Sequence, residues 1–219
     1  MEDYGVGMDK KLRDQLRLAY AKQVDAREAR EPEGWRIEER GIFLDELVKN
    51  GAMTLLEIGA GIGRDAEFFA NQGLEVLATD LTEENVARCR EKGLRAEEMD
   101  VCDLKLQPAS FDAVYSLNCL LHVPRDEFQI ALQNIHDVLR SGGPFYLSLF
   151  GGPDSEGIYQ EDFAEPKRFF SRWSDESLTQ EVRKLFEILR FQVIALESTS
   201  EIHLQSLILK KAPLTPRKI

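Results

Sequence analysis

Apolar residues recur at two spacings along the chain, and the change between them sorts it into elements. From Lys10 to Ala29, Leu12, Leu16, Ala19, Tyr20 and Val24 return at helical spacing, which predicts an amphipathic helix. The stretch "EPEGW" (31–35) interrupts it, and a second helix is expected from Arg36 to Lys49, stopped by "NGA" (50–52). Short apolar runs then alternate with helical patterns. Strands are expected over 54–58, 74–79, 94–98, 113–117 and 145–150, with helices over 65–71, 83–92 and 125–139. Strands separated by helices can lie parallel, with helices covering both faces of the sheet.

The end of the chain breaks this alternation. A helix expected over 175–189 leads into "FQVIALES" (191–198) and "HLQSLILK" (203–210), with only "TSEI" between them. So short a connection makes an antiparallel hairpin. The expected fold class is therefore α/β, a doubly wound and mostly parallel sheet with an antiparallel C-terminal hairpin. Residues 1–8 read as frayed, and no repeat or linker divides the chain. It reads as one domain, 1–219: a helical cap (1–50), a ligand-binding core (51–150), a long irregular segment (151–173), and a C-terminal helix and hairpin (174–219).

Composition narrows the partners. A formal charge of −11 argues against a nucleic-acid backbone, which needs clustered Lys and Arg. Basic clusters occur near residues 165–168 and in the tail "KK…PRK". Three cysteines, Cys89, Cys102 and Cys119, share no metal-like spacing and read as reduced thiols, so no metal is expected. With no apolar leader and no membrane-length run, the expectation is a soluble, cytoplasmic protein without a membrane partner, monomer or homodimer.

Candidate chemistry begins at "LLEIGAGIGRDA" (55–66). Gly59, Gly61 and Gly63 end the first strand of the alternation, where glycine lets a ligand approach the backbone. The spacing is G-x-G-x-G, and Arg64 stands where a dinucleotide turn would place its last glycine. Asp80 ends the second strand, where a carboxylate can accept from a ribose diol. Asp100, in "EEMDVCD", can accept from an exocyclic amine while Met99 and Val101 flank a flat ring, or it can cap a turn. The fourth strand ends in a polar loop with Ser116, Asn118 and His122, and "LRSGGPFYLSLF" leads into the fifth.

In this order the stretches resemble the class I S-adenosylmethionine-dependent methyltransferases, most closely the small-molecule branch. Glu57, Gly59, Ala60, Gly61 and Gly63 match that family's E/D-x-G-x-G-x-G loop, Asp80 its ribose acid, and Asp100 its adenine contact. "VLRSGG" matches its leucine-lysine-proline-glycine-glycine turn. Ile62 departs from the usual Thr or Ser. The resemblance implies a Rossmann-like seven-stranded sheet, S-adenosylmethionine as cofactor with S-adenosylhomocysteine as product, and methyl transfer to a small-molecule acceptor. Leu81, Val101, Leu117 and Asn118 are then expected beside the cofactor. A nucleotide-cofactor oxidoreductase and an inactive methyltransferase-like binding protein are the rival readings.

Methyl transfer from a sulfonium needs in-line placement and exclusion of water, with a base only where the acceptor is protonated. His122 is the candidate catalytic base; the alternative is a His bonded to cofactor or backbone. As a base of ordinary pKa it would slow transfer below about pH 6.5. Arg64 and Asp65 either steady the cofactor's carboxylate and amino group or cap the helix. Tyr20, Trp35 and Arg40 of the cap are further candidate cofactor contacts, by cation–π attraction or carboxylate pairing; the alternative is that these helices only cover the sheet. Tyr159, Phe169 and Phe170 in 151–173 are expected to line the acceptor pocket, because a long segment rich in aromatics suits a lid.

Overall fold

The structure, a computed structural model, describes residues 10–196 and 201–211. The segment expected to fray (1–8), the end of the strand expected over 191–198, residues 199–200 of the expected turn and the tail beyond Lys211 lie at least in part among positions 1–9, 197–200 and 212–219, outside the described residues.

The strands read in sequence are β1 (Thr54–Ile58), β2 (Glu75–Asp80), β3 (Arg95–Glu98), β4 (Ala113–Leu117) and β5 (Pro144–Gly151). They join β8 (Phe186–Ala195) and β9 (His203–Lys211) in a seven-stranded sheet of order β3-β2-β1-β4-β5-β9-β8. The first five are parallel, while β9 pairs antiparallel with β5 and β8 antiparallel with β9. This is the doubly wound sheet with a closing hairpin expected above.

Neighbouring residues on these strands bury opposite faces. Leu56, Val114 and Leu147 pack against α6 (Arg125–Val138) and α7 (Asp175–Val182). Leu55, Tyr115 and Tyr146 pack against Phe43 and Leu47 of α3 (Gly34–Asn50) and Phe69 of α4 (Arg64–Asn71). Strands covered on both faces become continuous apolar runs, which is why they were legible. Helix α5 (Glu83–Glu91) covers the β2–β3 end through Val86 and Cys89. Helix α3 stops where Gly51 turns left-handed at φ +60°. Its buried Glu39 grips Arg190 of β8 at 2.7 and 2.8 Å, tying the hairpin to that face.

Three expectations are corrected. The first helix breaks into α1 (Lys10–Ala21) and α2 (Val24–Glu28), because Gln23 bonds the Ala19 carbonyl with its side chain while its N–H turns to Tyr20. The helix expected to reach Leu189 ends at Val182. Leu178, Val182 and Phe186 keep helical spacing, but Phe186 already pairs with Lys211 of β9. The segment 151–173 is not irregular throughout: β6 (Ser155–Ile158) and β7 (Phe169–Arg172) form a separate antiparallel pair. Strands of four residues are too short to show a period.

Candidate functional site

The strand order reverses between β1 and β4, and a crevice opens there beyond the carboxyl ends of the parallel strands. It forms a cavity of about 480 Å³. The loops after β1, β2, β3 and β4 make its floor; α1, α2 and the β6–β7 hairpin cover it.

Gly59, Ala60, Gly61 and Arg64 line this cavity from the first loop. Gly59 and Ala60 both donate to the Thr79 carbonyl, at 2.8 and 2.9 Å, which pins the loop to β2. Gly59 has φ +72°, and a Cβ there would stand 2.5 Å from Cys119 Sγ, so this position requires glycine on two counts. Asp80 and Leu81 line the cavity from β2. One Asp80 oxygen accepts from Gly61 N at 2.8 Å, the other from Thr82 N at 2.9 Å and Asn85 Nδ2 at 3.1 Å. A carboxylate offers about four acceptor sites, so one remains.

Asp100 and Val101 line the far end. Asp100 caps a short 3-10 turn through Cys102 N at 2.8 Å, and its other oxygen pairs with Arg13 of α1. Leu117, Asn118 and His122 enter from β4. Asn118 has φ +54°, a conformation that costs energy for a side chain and gathers at functional sites. Tyr20 and Trp35 of the cap line the cavity, as do Tyr159 and Phe170 of the hairpin.

Glu57, Gly63, Arg40 and Phe169 do not line it. Glu57 is buried at the end of β1, and burial, then the charge of Asp65, pushes its carboxyl well above the usual range. Its Oε2 has no hydrogen-bond partner among the described residues. Phe169 contributes its backbone carbonyl rather than its ring. Asp65 neither reaches the cavity nor caps α4; it is fully buried against Arg36 at 2.5 Å and Arg40 at 3.1 Å. Arg64 holds the end of α2 through the carbonyls of Arg27 at 2.6 Å, Glu28 at 3.0 Å and Arg30. The loop thereby carries part of its own roof.

His122 sits where three elements meet. Its Nδ1 faces the Phe169 carbonyl at 2.7 Å, and its Nε2 faces the Tyr20 hydroxyl at 2.6 Å. A carbonyl only accepts, so the neutral ring carries its proton on Nδ1 and offers Nε2 to Tyr20. Burial pushes the imidazole down to about 3; the Arg168 and Arg27 charges add to this, and the Phe169 carbonyl opposes it. The acid limit of any reaction that uses this base therefore lies far below pH 6.5. Burial also pushes the Tyr20 phenol up, against the pull of Arg168 and Arg27.

Sequence reasoning missed Arg168 and Asp162, which face the same cavity. Their signal was an Asp and an Arg six positions apart in a segment read as loop. Burial pushes all three thiols up, away from thiolate character. Among the described residues no group of His, Cys, Asp or Glu is placed to hold a metal, and no helix is long and apolar enough to cross a membrane.

Known proteins resemble this chain in sequence and fold. Residues 56–147 match the family model described as a methyltransferase domain. A stretch of 107 residues, 45% of this chain, is 30% identical to phosphoethanolamine N-methyltransferase 2 of Caenorhabditis elegans, of which the match spans only 24%. The structure of Burkholderia thailandensis 1,6-didemethyltoxoflavin-N1-methyltransferase, with 1,6-didemethyltoxoflavin and S-adenosylhomocysteine bound, superposes with a TM-score of 0.74 at 24% identity. That similarity covers 97% of this chain and 94% of that one. A S-adenosylmethionine-dependent methyltransferase from Methanosarcina mazei superposes at 0.65, with 19% identity over 73% of this chain and 92% of its own. The family match thus spans the strands and loops that floor the cavity, and the fold is the one these S-adenosylmethionine-dependent methyltransferases share.

Proposed function

We propose that the protein transfers a methyl group from S-adenosylmethionine to a small-molecule acceptor by in-line displacement. The observation that carries this reading is one covered cavity reached by the glycine loop, Asp80, Asp100 and the His122–Tyr20 pair together. The two named relatives with a stated acceptor both methylate nitrogen on a small molecule, which supports the acceptor class.

The residues present fit the cofactor. Asp80 keeps acceptor capacity for a ribose hydroxyl, and Gly59 and Gly61 offer a floor of bare backbone on either side of Ala60. Asp100 suits an adenine amine once Arg13 yields its place. The bound cofactor supplies an electrophilic methyl whose departure leaves a neutral thioether, so no acid is needed. The remaining work falls to the chain: α1, α2 and the hairpin exclude water, and Tyr159 and Phe170 hold the acceptor against the methyl. For an acceptor with an N–H or O–H, Tyr20 takes the proton on its oxygen while passing its own to His122 Nε2.

Thermal unfolding with S-adenosylmethionine, S-adenosylhomocysteine and NAD tests the reading. At a hundred times its dissociation constant a bound ligand adds about 2.7 kcal/mol of apparent stability. Both sulfur ligands are expected to raise the melting temperature and NAD to leave it unchanged; the reverse order would overturn the proposal. Asp80→Ala is expected to weaken S-adenosylhomocysteine by about 1.5–3 kcal/mol for each charge-assisted bond lost. Unchanged affinity by isothermal titration would take the ribose away from Asp80.

A further inference from the structure

One buried ion pair faces the cavity without a part in the scheme above. Asp162 and Arg168, in the β6–β7 hairpin, are 6% and 7% exposed. Arg168 donates from Nε to Asp162 Oδ2 at 2.8 Å and from Nη2 to Oδ1 at 2.7 Å, and its backbone N–H donates to Oδ2 at 2.9 Å. The guanidinium is not spent inside the hairpin. Its Nη1 donates to the Tyr20 hydroxyl oxygen at 3.1 Å, and it lies 5.2 Å from the Tyr20 ring centroid.

The chemistry of these partners sets a direction. A guanidinium has donors only, so the Tyr20 proton cannot point at Arg168. On the far side the Phe169 carbonyl claims the Nδ1 proton of His122 and leaves Nε2 as an acceptor. The Tyr20 proton therefore lies on the path to Nε2. Adjacent residues of one hairpin, Arg168 and Phe169, thus fix both ends of the relay.

We propose that Arg168, neutralised by Asp162, is a positioning residue that holds the Tyr20 hydroxyl with its proton toward His122 and keeps Nε2 unprotonated until an acceptor proton arrives. The proposal deepens the methyl-transfer reading and rests on it for the direction of proton flow. In the step served, the acceptor N–H or O–H bond breaks and its electron pair forms the bond to the methyl. The released proton goes to the Tyr20 oxygen, and the Tyr20 proton goes to Nε2, leaving an imidazolium. Asp162 matters here because a bare Arg168 would oppose that new cation.

The groups acting on His122 are Tyr20 and Arg27 from the N-terminal helices and Arg168, Asp162 and the Phe169 carbonyl from the hairpin. The test uses the full chain labelled with ¹⁵N-histidine; three histidines keep its imidazole spectrum simple. Spectra are followed from about pH 8 to about pH 4, spanning the ordinary imidazole value. The wild type is expected to keep His122 neutral with its proton on Nδ1 throughout. Arg168→Met frees the Tyr20 oxygen to accept from a protonated Nε2, so His122 should titrate inside the range, its proton affinity up at least tenfold. Asp162→Asn leaves the donor and an uncompensated charge, so His122 should stay neutral.

A folded Arg168→Met protein whose His122 remains neutral overturns the proposal. So does a His122 that becomes protonated alike in both variants, the result expected if the pair merely stiffens the hairpin. If Arg168→Met does not fold, Arg168→Lys decides: its ammonium still donates, so a neutral His122 supports the assignment and a titrating one overturns it. Failure of S-adenosylhomocysteine to stabilise the wild type would strike the methyl-transfer reading instead and leave these spectra unaffected.

Discussion

Replacing Asp65 by Ala should lower the unfolding free energy by about 3–5 kcal/mol, because it strands two guanidiniums against the sheet. Asp65 has no exposed surface and holds Arg36 at 2.5 and 3.1 Å and Arg40 at 3.1 Å, with the Arg40 guanidinium 3.9 Å from the Phe68 ring centroid. Burial weakens the charged form of Arg36, but the Asp65 charge and hydrogen bond outweigh it and raise its pKa. Removing the carboxylate leaves the burial cost without that return. These contacts also join α3 to the first turn of α4, directly behind the glycine loop. Urea unfolding is the measurement. A loss under about 1 kcal/mol, the range of surface pairs, would show that the arginines relax into water.

The second large effect is acid sensitivity traced to His122. Its folded-state pKa lies near 3, against an ordinary 6.5, because the ring is buried. Between those values the unfolded chain binds a proton that the folded chain refuses. Stability from this group is therefore complete above about pH 6.5 and falls as the pH drops, by at most about 1.4 kcal/mol per unit. His122→Gln removes the contribution. From about pH 6.5 to 4.5 the wild type should lose about 2–3 kcal/mol more than the variant, read as the change in urea midpoint. Superimposable pH dependences would place the folded imidazole near its ordinary value and return the acid limit of a reaction that uses it to about pH 6.5.

Two sorts of information were legible along the chain. Strands β1, β4 and β5 are buried on both faces, so each left a mostly apolar run, and their alternation with α4, α5 and α6 made the parallel sheet legible. Gly59 and Gly61 announced themselves because their backbone angles, φ +72° and +56°, favour glycine whatever surrounds them. Asp80 and Asp100 could be placed at strand ends by counting along elements. Where the local pattern was ambiguous, the reading failed. Phe186 and Leu189 fit a helix by spacing, yet both lie in β8, where Phe186 pairs with Lys211 of β9 and Leu189 falls at a break in the register.

By itself, then, the sequence determined the α/β sheet, the closing hairpin and the strand-end loops around the cavity, since each rests on periodicity or on a backbone need within a few residues. Only the tertiary structure decided what those side chains do to one another. Arg13 meets Asp100 across 87 positions, Arg36 meets Asp65 across 29, and Tyr20 meets His122 across 102. Such pairings leave no local trace, because a salt bridge or a shared proton depends on distance in space and on how much water burial has removed. The same burial turned His122 from a group of ordinary pKa into one that stays neutral through the physiological range, and no spacing along the chain encodes that.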